Sequence, residues 1–428
     1  MTAENDRSGR NGRNVLRSAR RRRADGFTES ATGLRDVVVD AAGPRWLRRL
    51  RYVPLVVVTA LAVVAASVGV WYEARHPRIV DGAGEGATGV EEVSKPSGTV
   101  LPESCGGGAT GVELGPWDES DTSGYEATYL SNLGTSAWVD GRDGYRFWSD
   151  AYNANISQSI GRTHVDSKQM EAWANYIARV QAAAEDAGAV FLLMVAPAKW
   201  DIYADKLPEW SDTLRGATSL ERLRAGHPEL PWVDVVGPLL AERSVDAAVP
   251  LYSRVNSHWS PYAASMVWND VLSCLTDVEP SFADLPRLEI SGSELTTPPD
   301  EFVSVGAPAS LEDDWSVPVF LETPGDVEVR TIQTGQSHLQ PAVDGVDFAD
   351  LPVETTNPGA PDHRLLVARD SMGNALSIGM TASFGTTIQV RNGFDVGEPA
   401  DLPDLIKHYA PDVVILELAE RYLAQTPQ

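Results

Sequence analysis

Between Ser167 and Gly188, the apolar side chains Met170, Trp173, Ile177, Val180 and Ala184 recur at three- and four-residue spacing. That period predicts an amphipathic helix, with Gly188 as its stop. Directly behind it, Val190-Phe191-Leu192-Leu193-Met194-Val195-Ala196 is a continuous apolar run, the mark of a strand covered on both faces of a parallel sheet. The alternation continues. A strand is expected over 232–236 and a helix from Pro238 through about Ala247. Another helix is expected from Pro261, which is tolerated in a first turn, to about Leu275. Strands follow over 364–368, 386–390 and 412–416, with a turn or helix at Gly373-Asn374 and a helix over 403–409. Residues 276–345 lose the helical period and gain Pro, Asp, Glu and β-formers, so they read as a β-rich insertion. Strands separated by helices define an α/β domain over 117–428: three layers around a central, mostly parallel sheet. No internal repeat interrupts it.

One apolar segment does not belong to this rhythm. Residues 53–71 form an uncharged stretch of 19 residues, which at about 1.5 Å per residue spans the roughly 30 Å hydrocarbon core of a bilayer. Arg45, Arg48, Arg49 and Arg51 crowd its start, while Trp71 and Tyr72 mark its end. The positive-inside bias then predicts a single-pass cell membrane protein. Its parts would be a cytoplasmic, Arg-rich disordered tail (1–52), a transmembrane signal anchor (53–72) and a Gly-, Ser- and Pro-rich extracytoplasmic stalk (73–116). Its N-terminus would be cytoplasmic and its C-terminal domain extracytoplasmic. The competing reading is a cleaved leader processed near Ala65-Ala66-Ser67, but both its charged and apolar regions exceed leader lengths.

Charge sharpens the division. Residues 1–51 carry a net +7 and the remainder a net −32. The run Arg20-Arg21-Arg22-Arg23 lacks aromatic interleaving and suits topology and contact with the lipid bilayer. The acidic remainder would repel phosphates, which excludes nucleic acid as a partner. With 43% hydrophobic residues the domain can build a sizeable core. The two cysteines, Cys105 and Cys274, both fall on the outer side, where an oxidising compartment permits a disulfide; two separate buried thiols are the alternative. Neither the cysteines nor the histidines cluster at ligand spacing, so no metal and no cofactor is expected.

Two separated motifs carry the candidate chemistry: Asn256-Ser257-His258-Trp259 and Arg369-Asp370-Ser371-Met372-Gly373. A serine becomes a useful nucleophile when an imidazole takes its proton and a third group fixes the imidazole's orientation. Ser371, His258 and Asn256 are candidates for those three catalytic roles. Ser371 would lie at a strand end, where backbone N–H groups of the next turn can face an oxyanion. The bland readings are a serine capping a helix and a packed histidine. Asp370 adjoins Ser371 too closely to converge on the same partner and reads as a turn hydrogen bond. Asp395 and Glu417 are alternative carboxylates for His258. Lys199 and Arg391 follow predicted strands and are candidate substrate contacts, as is Trp259 for a sugar ring; surface charge and core packing are their ordinary roles.

The motifs, taken in order, resemble the AlgJ/AlgX-like polysaccharide O-acetyltransferases of the SGNH hydrolase-like superfamily. The likeness runs over about 135–425. It rests on Gly141-Arg142-Asp143-Gly144-Tyr145-Arg146-Phe147, Val195-Ala196-Pro197-Ala198-Lys199 with Leu207-Pro208, the two motifs above, and Pro411-Asp412-Val413-Val414-Ile415 with Glu420-Arg421. It implies an SGNH hydrolase-like three-layer domain in which Ser371 is acylated, His258 is the general base and Asn256 stands where the family has Asp. It further implies transfer of an acyl group to a cell-surface or exopolysaccharide hydroxyl, with a polysaccharide acceptor and a membrane acyltransferase supplying the acyl group. Two other functions remain open: a carbohydrate esterase or deacetylase using the same pair, and a non-catalytic polysaccharide-binding scaffold with a decayed triad. An amide at 256 cannot stabilise imidazolium by charge, so that residue divides enzyme from scaffold.

Overall fold

The computed structural model describes residues 101–427 except 103–104, 107–111, 113, 119–120 and 247. The tail, the anchor and most of the stalk lie outside the described residues. Among the described residues no helix is long and apolar enough to cross a membrane.

Among the described residues there are twelve strands. The first two, β1 (Trp138–Asp140) and β2 (Arg146–Trp148), form an antiparallel hairpin. Asp143 and Gly144 turn it at positive φ of 54° and 78°, a backbone region glycine enters without strain. The main sheet has eight strands in the order β4-β3-β12-β10-β11-β9-β7-β8. Its parallel part comprises β4 (Trp232–Val233), β3 (Val190–Ala196), β12 (Val413–Ala419), β10 (Arg364–Arg369) and β11 (Thr386–Arg391). All seven residues of β12 are buried, so helices cover both faces of the sheet, as the apolar runs predicted.

The helices that matter for the site are α1 (Ser167–Asp186), α2 (Val236–Val245), α3 (Pro261–Val278), α4 (Gly373–Ser383) and α5 (Leu402–Tyr409). Helix α1 starts on a capping box between Asp166 and Gln169, which satisfies two orphan amides at once. It packs on β3 and α5, while α3 packs on α4. Cys105 and Cys274 are joined as a disulfide, tying the segment before the domain to α3.

Two expectations are corrected. The expected mostly parallel sheet is altered by the β-rich insertion: β5 (Ile290–Thr296) and β6 (Trp315–Phe320) form a separate ribbon, but β7 (Asp326–Thr331) and β8 (Ser337–Pro341) join the main sheet. They enter through β9 (Val353–Thr356), which pairs antiparallel with both β11 and β7, while β8 pairs antiparallel with β7 at the edge, so the sheet is mixed rather than mostly parallel. The strand expected over 232–236 stops at Val233. Asp234 takes over as a local acceptor for the Val236 amide, 3.2 Å away, and the chain turns into α2.

Candidate active site

Ser371 follows β10 by two residues, and the turn that holds it is built from buried charges. The guanidinium of Arg369 donates to Gln389 Oε1 at 2.7 Å, Asn374 Oδ1 at 2.8 Å and the Val346 carbonyl at 2.8 Å. Burial pulls its pKa down to about 10, against the opposing pull of Glu417 and Asp370. Asp370 accepts the Met372 amide at 2.8 Å and the Ala419 amide at 2.7 Å. It therefore clamps the turn to β12, the structural role its position predicted. Gly373 must be glycine: a Cβ there would lie 2.4 Å from Arg369 Cδ. The amides of Met372, Gly373 and Asn374 are spent inside the turn on Asp370 and Ser371. Ser371's own N–H has no partner among the described residues; a free amide on the nucleophile itself is the type of donor an oxyanion uses.

His258 sits on the loop between Tyr252 and Trp259, which are paired as an isolated bridge. Trp259 is fully buried, and its indole N–H donates to the Met372 carbonyl at 2.8 Å. That bond joins the histidine loop to the serine turn, and it removes Trp259 from any contact with a sugar. Lys199 is likewise interior, 3% exposed, with its ammonium donating to the carbonyls of Ser253 and Arg254 at 3.3 and 3.0 Å. It braces the loop from beneath instead of facing a ligand. Desolvation pulls its pKa down to about 7, although Glu301, Asp314 and Asp300 pull the other way.

The imidazole bridges both sides. Its Nε2 lies 2.9 Å from Ser371 Oγ, hydrogen-bond reach for a base and its nucleophile. Its Nδ1 lies 2.7 Å from Glu301 Oε1 and 3.1 Å from Asn256 Oδ1. The structure thus brings together Ser371, His258 and Asn256, and adds a carboxylate that sequence reasoning missed. Neither carboxylate named beforehand is in place. Glu417 is fully buried and accepts the Asp370 amide at 3.0 Å, with burial and then the Asp370 charge raising its pKa well above the ordinary range. Asp395 is exposed beyond β11.

Glu301 opens a single 3-10 turn, Glu301–Val305, capped by Asp300. Phe302 anchors the turn in the core, 4.8 Å ring to ring from Trp148. The Glu301 amide donates to the Val255 carbonyl at 3.2 Å, which fastens the turn to the histidine loop. Its Oε2 accepts from Trp148 Nε1 at 3.1 Å, Ser257 N at 3.1 Å and Ser257 Oγ at 2.8 Å. Burial would raise this carboxyl, but the charge of His258 and the hydrogen bonds from His258 and Ser257 outweigh it, holding the pKa at about 2. The glutamate is ionised at neutral pH. A signal was present in Pro299-Asp300-Glu301-Phe302: an N-cap residue and an aromatic anchor, inside a stretch that otherwise reads as irregular.

Arg391, the remaining candidate, ends β11 and is exposed. Its guanidinium lies over the Phe348 ring at 4.3 Å, at the wall of an open groove that Gln333, Asp401, Asp404 and His408 also line. Among the described residues no group of His, Cys, Asp and Glu is arranged to hold a metal ion.

An α/β sheet with a serine past the end of a central strand, a histidine on a neighbouring loop and a carboxylate behind it defines an SGNH hydrolase-like domain. Residues 141–301 match the family described as SGNH hydrolase-like domain, acetyltransferase AlgX, and over that segment the chain is similar to the AlgJ/AlgX-like proteins. The matched segment contains His258 and Glu301 and ends before Ser371. Solved structures similar in outline include a DHHW family protein from Eubacterium siraeum, at 15% identity over 68% of this chain and 93% of that one, TM-score 0.47. Bacillus cereus PatB1 aligns at 14% identity over 67% of this chain and 96% of its own, TM-score 0.44. The O-acetyltransferase domain of Pseudomonas putida AlgJ aligns at 15% identity over 68% and 94%, TM-score 0.39. No curated protein matches the chain.

Proposed function

We propose that this protein is a membrane-anchored, extracytoplasmic O-acetyltransferase that passes an acyl group through Ser371 to a polysaccharide hydroxyl. The observation that supports this reading best is the 2.9 Å contact between His258 Nε2 and Ser371 Oγ, in a domain similar to a family that bears the name of an acetyltransferase. In the first step His258 Nε2 takes the hydroxyl proton while Ser371 Oγ attacks the acyl carbonyl of the donor. The oxyanion collapses, the donor's leaving group departs with the proton held on His258, and an acyl-serine remains. In the second step His258 deprotonates a sugar hydroxyl, which attacks the acyl-serine and releases free Ser371. The acyl group would come from a membrane acyltransferase, and residues 53–72 would hold the domain beside it at the bilayer. Arg391 and the open groove beside it are the candidate acceptor contacts.

The test is turnover of an aryl acetate by the full-length protein, with and without an oligosaccharide acceptor. Acetylated oligosaccharide that disappears in Ser371→Ala supports the transferase. Free acetate alone, unchanged by acceptor, would convert the reading to an esterase. Turnover that persists in Ser371→Ala would sink both. A scaffold with a decayed triad predicts no adduct with a fluorophosphonate, whereas the contact of Ser371 with a carboxylate-backed histidine predicts labelling.

A further inference from the structure

We infer that the charge-stabilising partner of His258 is Glu301, and that Asn256 is a positioning residue which fastens Glu301's segment to the histidine loop. This rests on the acyl-transfer reading above and deepens it.

For Nε2 to accept the Ser371 proton, the imidazole must carry its hydrogen on Nδ1. Two oxygens compete for that hydrogen. Glu301 Oε1 is closer, at 2.7 Å against 3.1 Å for Asn256 Oδ1, and it bears the charge. Asn256 Oδ1 is already engaged, since the backbone N–H of His258 donates to it at 2.8 Å. The second oxygen of Glu301 is held by three donors, from Trp148 and from Ser257 twice. A carboxylate fixed at both ends orients a ring far better than a mobile one.

Asn256 uses its other end for something an aspartate could not do. Its Nδ2 donates to the Pro299 carbonyl at 2.7 Å, two residues before Glu301. An aspartate at 256 would lose that bond and set a second carboxylate against the same Nδ1, where like charges oppose each other. The amide is thus the complement of a carboxylate that arrives from another segment. The other charged groups on or around this loop include Lys199, Arg146, Arg254, Asp300, Glu312 and Asp314. All are retained in the variants below.

The experiment measures the fluorophosphonate labelling rate and aryl acetate turnover of the full-length protein across pH for the wild type and five variants. Glu301→Gln is expected to lower both by about 10²–10⁴-fold, and to shift the apparent pKa of the labelling profile downward because the imidazolium loses its counter-charge. Glu301→Asp should retain part of the rate and the wild-type profile. Asn256→Asp should give no gain and a loss of at least several-fold. Should Glu301→Gln fail to fold, Trp148→Phe deletes only one donor to Oε2 and is expected to lower the rate with a shifted profile. The inference is overturned if Glu301→Gln, or Trp148→Phe in its place, keeps the wild-type rate and profile. A tenfold or greater gain in Asn256→Asp overturns it equally. Labelling that survives in Ser371→Ala would instead overturn the acyl-enzyme reading on which it rests.

Discussion

Lys199 shows how one side chain's surroundings reverse its sequence reading. It follows β3 where ligand contacts often arise, yet its ammonium is spent on two loop carbonyls inside the core. Its folded pKa of about 7 lies below the ordinary 10.5, so the native state binds fewer protons than the unfolded chain between those values. Stability contributed by this residue is therefore least below pH 7 and rises as the pH climbs towards 10. Thermal melts of the wild type and Lys199→Met over that range should show a difference that changes with pH in this direction. Parallel curves would show that the amine is not depressed. Glu301 has the opposite signature. Its pKa falls from 4.5 to about 2, so its contribution is complete above pH 4.5 and is lost as the pH drops towards 2. Glu301→Gln should therefore lose less stability than the wild type over that acid window.

At the scale of elements, the site depends on where α4 sits, and α4 is located by its contact with α3. A Cβ on Gly379 would come within 2.2 Å of Trp268 Cδ1, and the same indole donates to Ser383 Oγ at 3.1 Å. Gly379→Ala must push the helices apart, which at overpacked sites costs about 1–3 kcal/mol. Because α4 begins two residues after Ser371, the labelling rate should fall along with the denaturation midpoint. Unchanged midpoints would mean that the contact is slack. Elements of this kind were largely legible. The period of α1, the apolar runs of β3 and β12, and the Pro261 start of α3 follow from burial on one face or two, which a linear pattern records. The Ser371–His258 pairing was legible through its two motifs. Glu301 was not, because a one-turn element has no period to detect. Its partner Trp148 comes from a hairpin 153 residues away. The entry of β7 and β8 into the main sheet was hidden for a similar reason: their half-exposed alternation fits a separate hairpin equally well.

The whole domain is closed by the bond between Cys105 and Cys274, 169 residues apart in sequence. That loop contains the β1–β2 hairpin, α1, β3 and the histidine loop, whereas Glu301 and Ser371 lie beyond it. A cross-link of such span removes much of the unfolded chain's freedom, and deletion of native disulfides typically costs 2–5 kcal/mol. The bond does not touch the reacting groups: Cys274 lies near the far end of α3 from the histidine loop, and Cys105 accepts from the Asp234 amide at 2.8 Å beside β4. Replacing both cysteines by serine should therefore lower the denaturation midpoint strongly while leaving Ser371 labelling in the cold near the wild-type rate. If the rate falls in parallel with stability, the disulfide also sets the geometry of the site. If the midpoint does not move, the segment around Cys105 contributes nothing to the fold, and the bond serves neither stability nor chemistry.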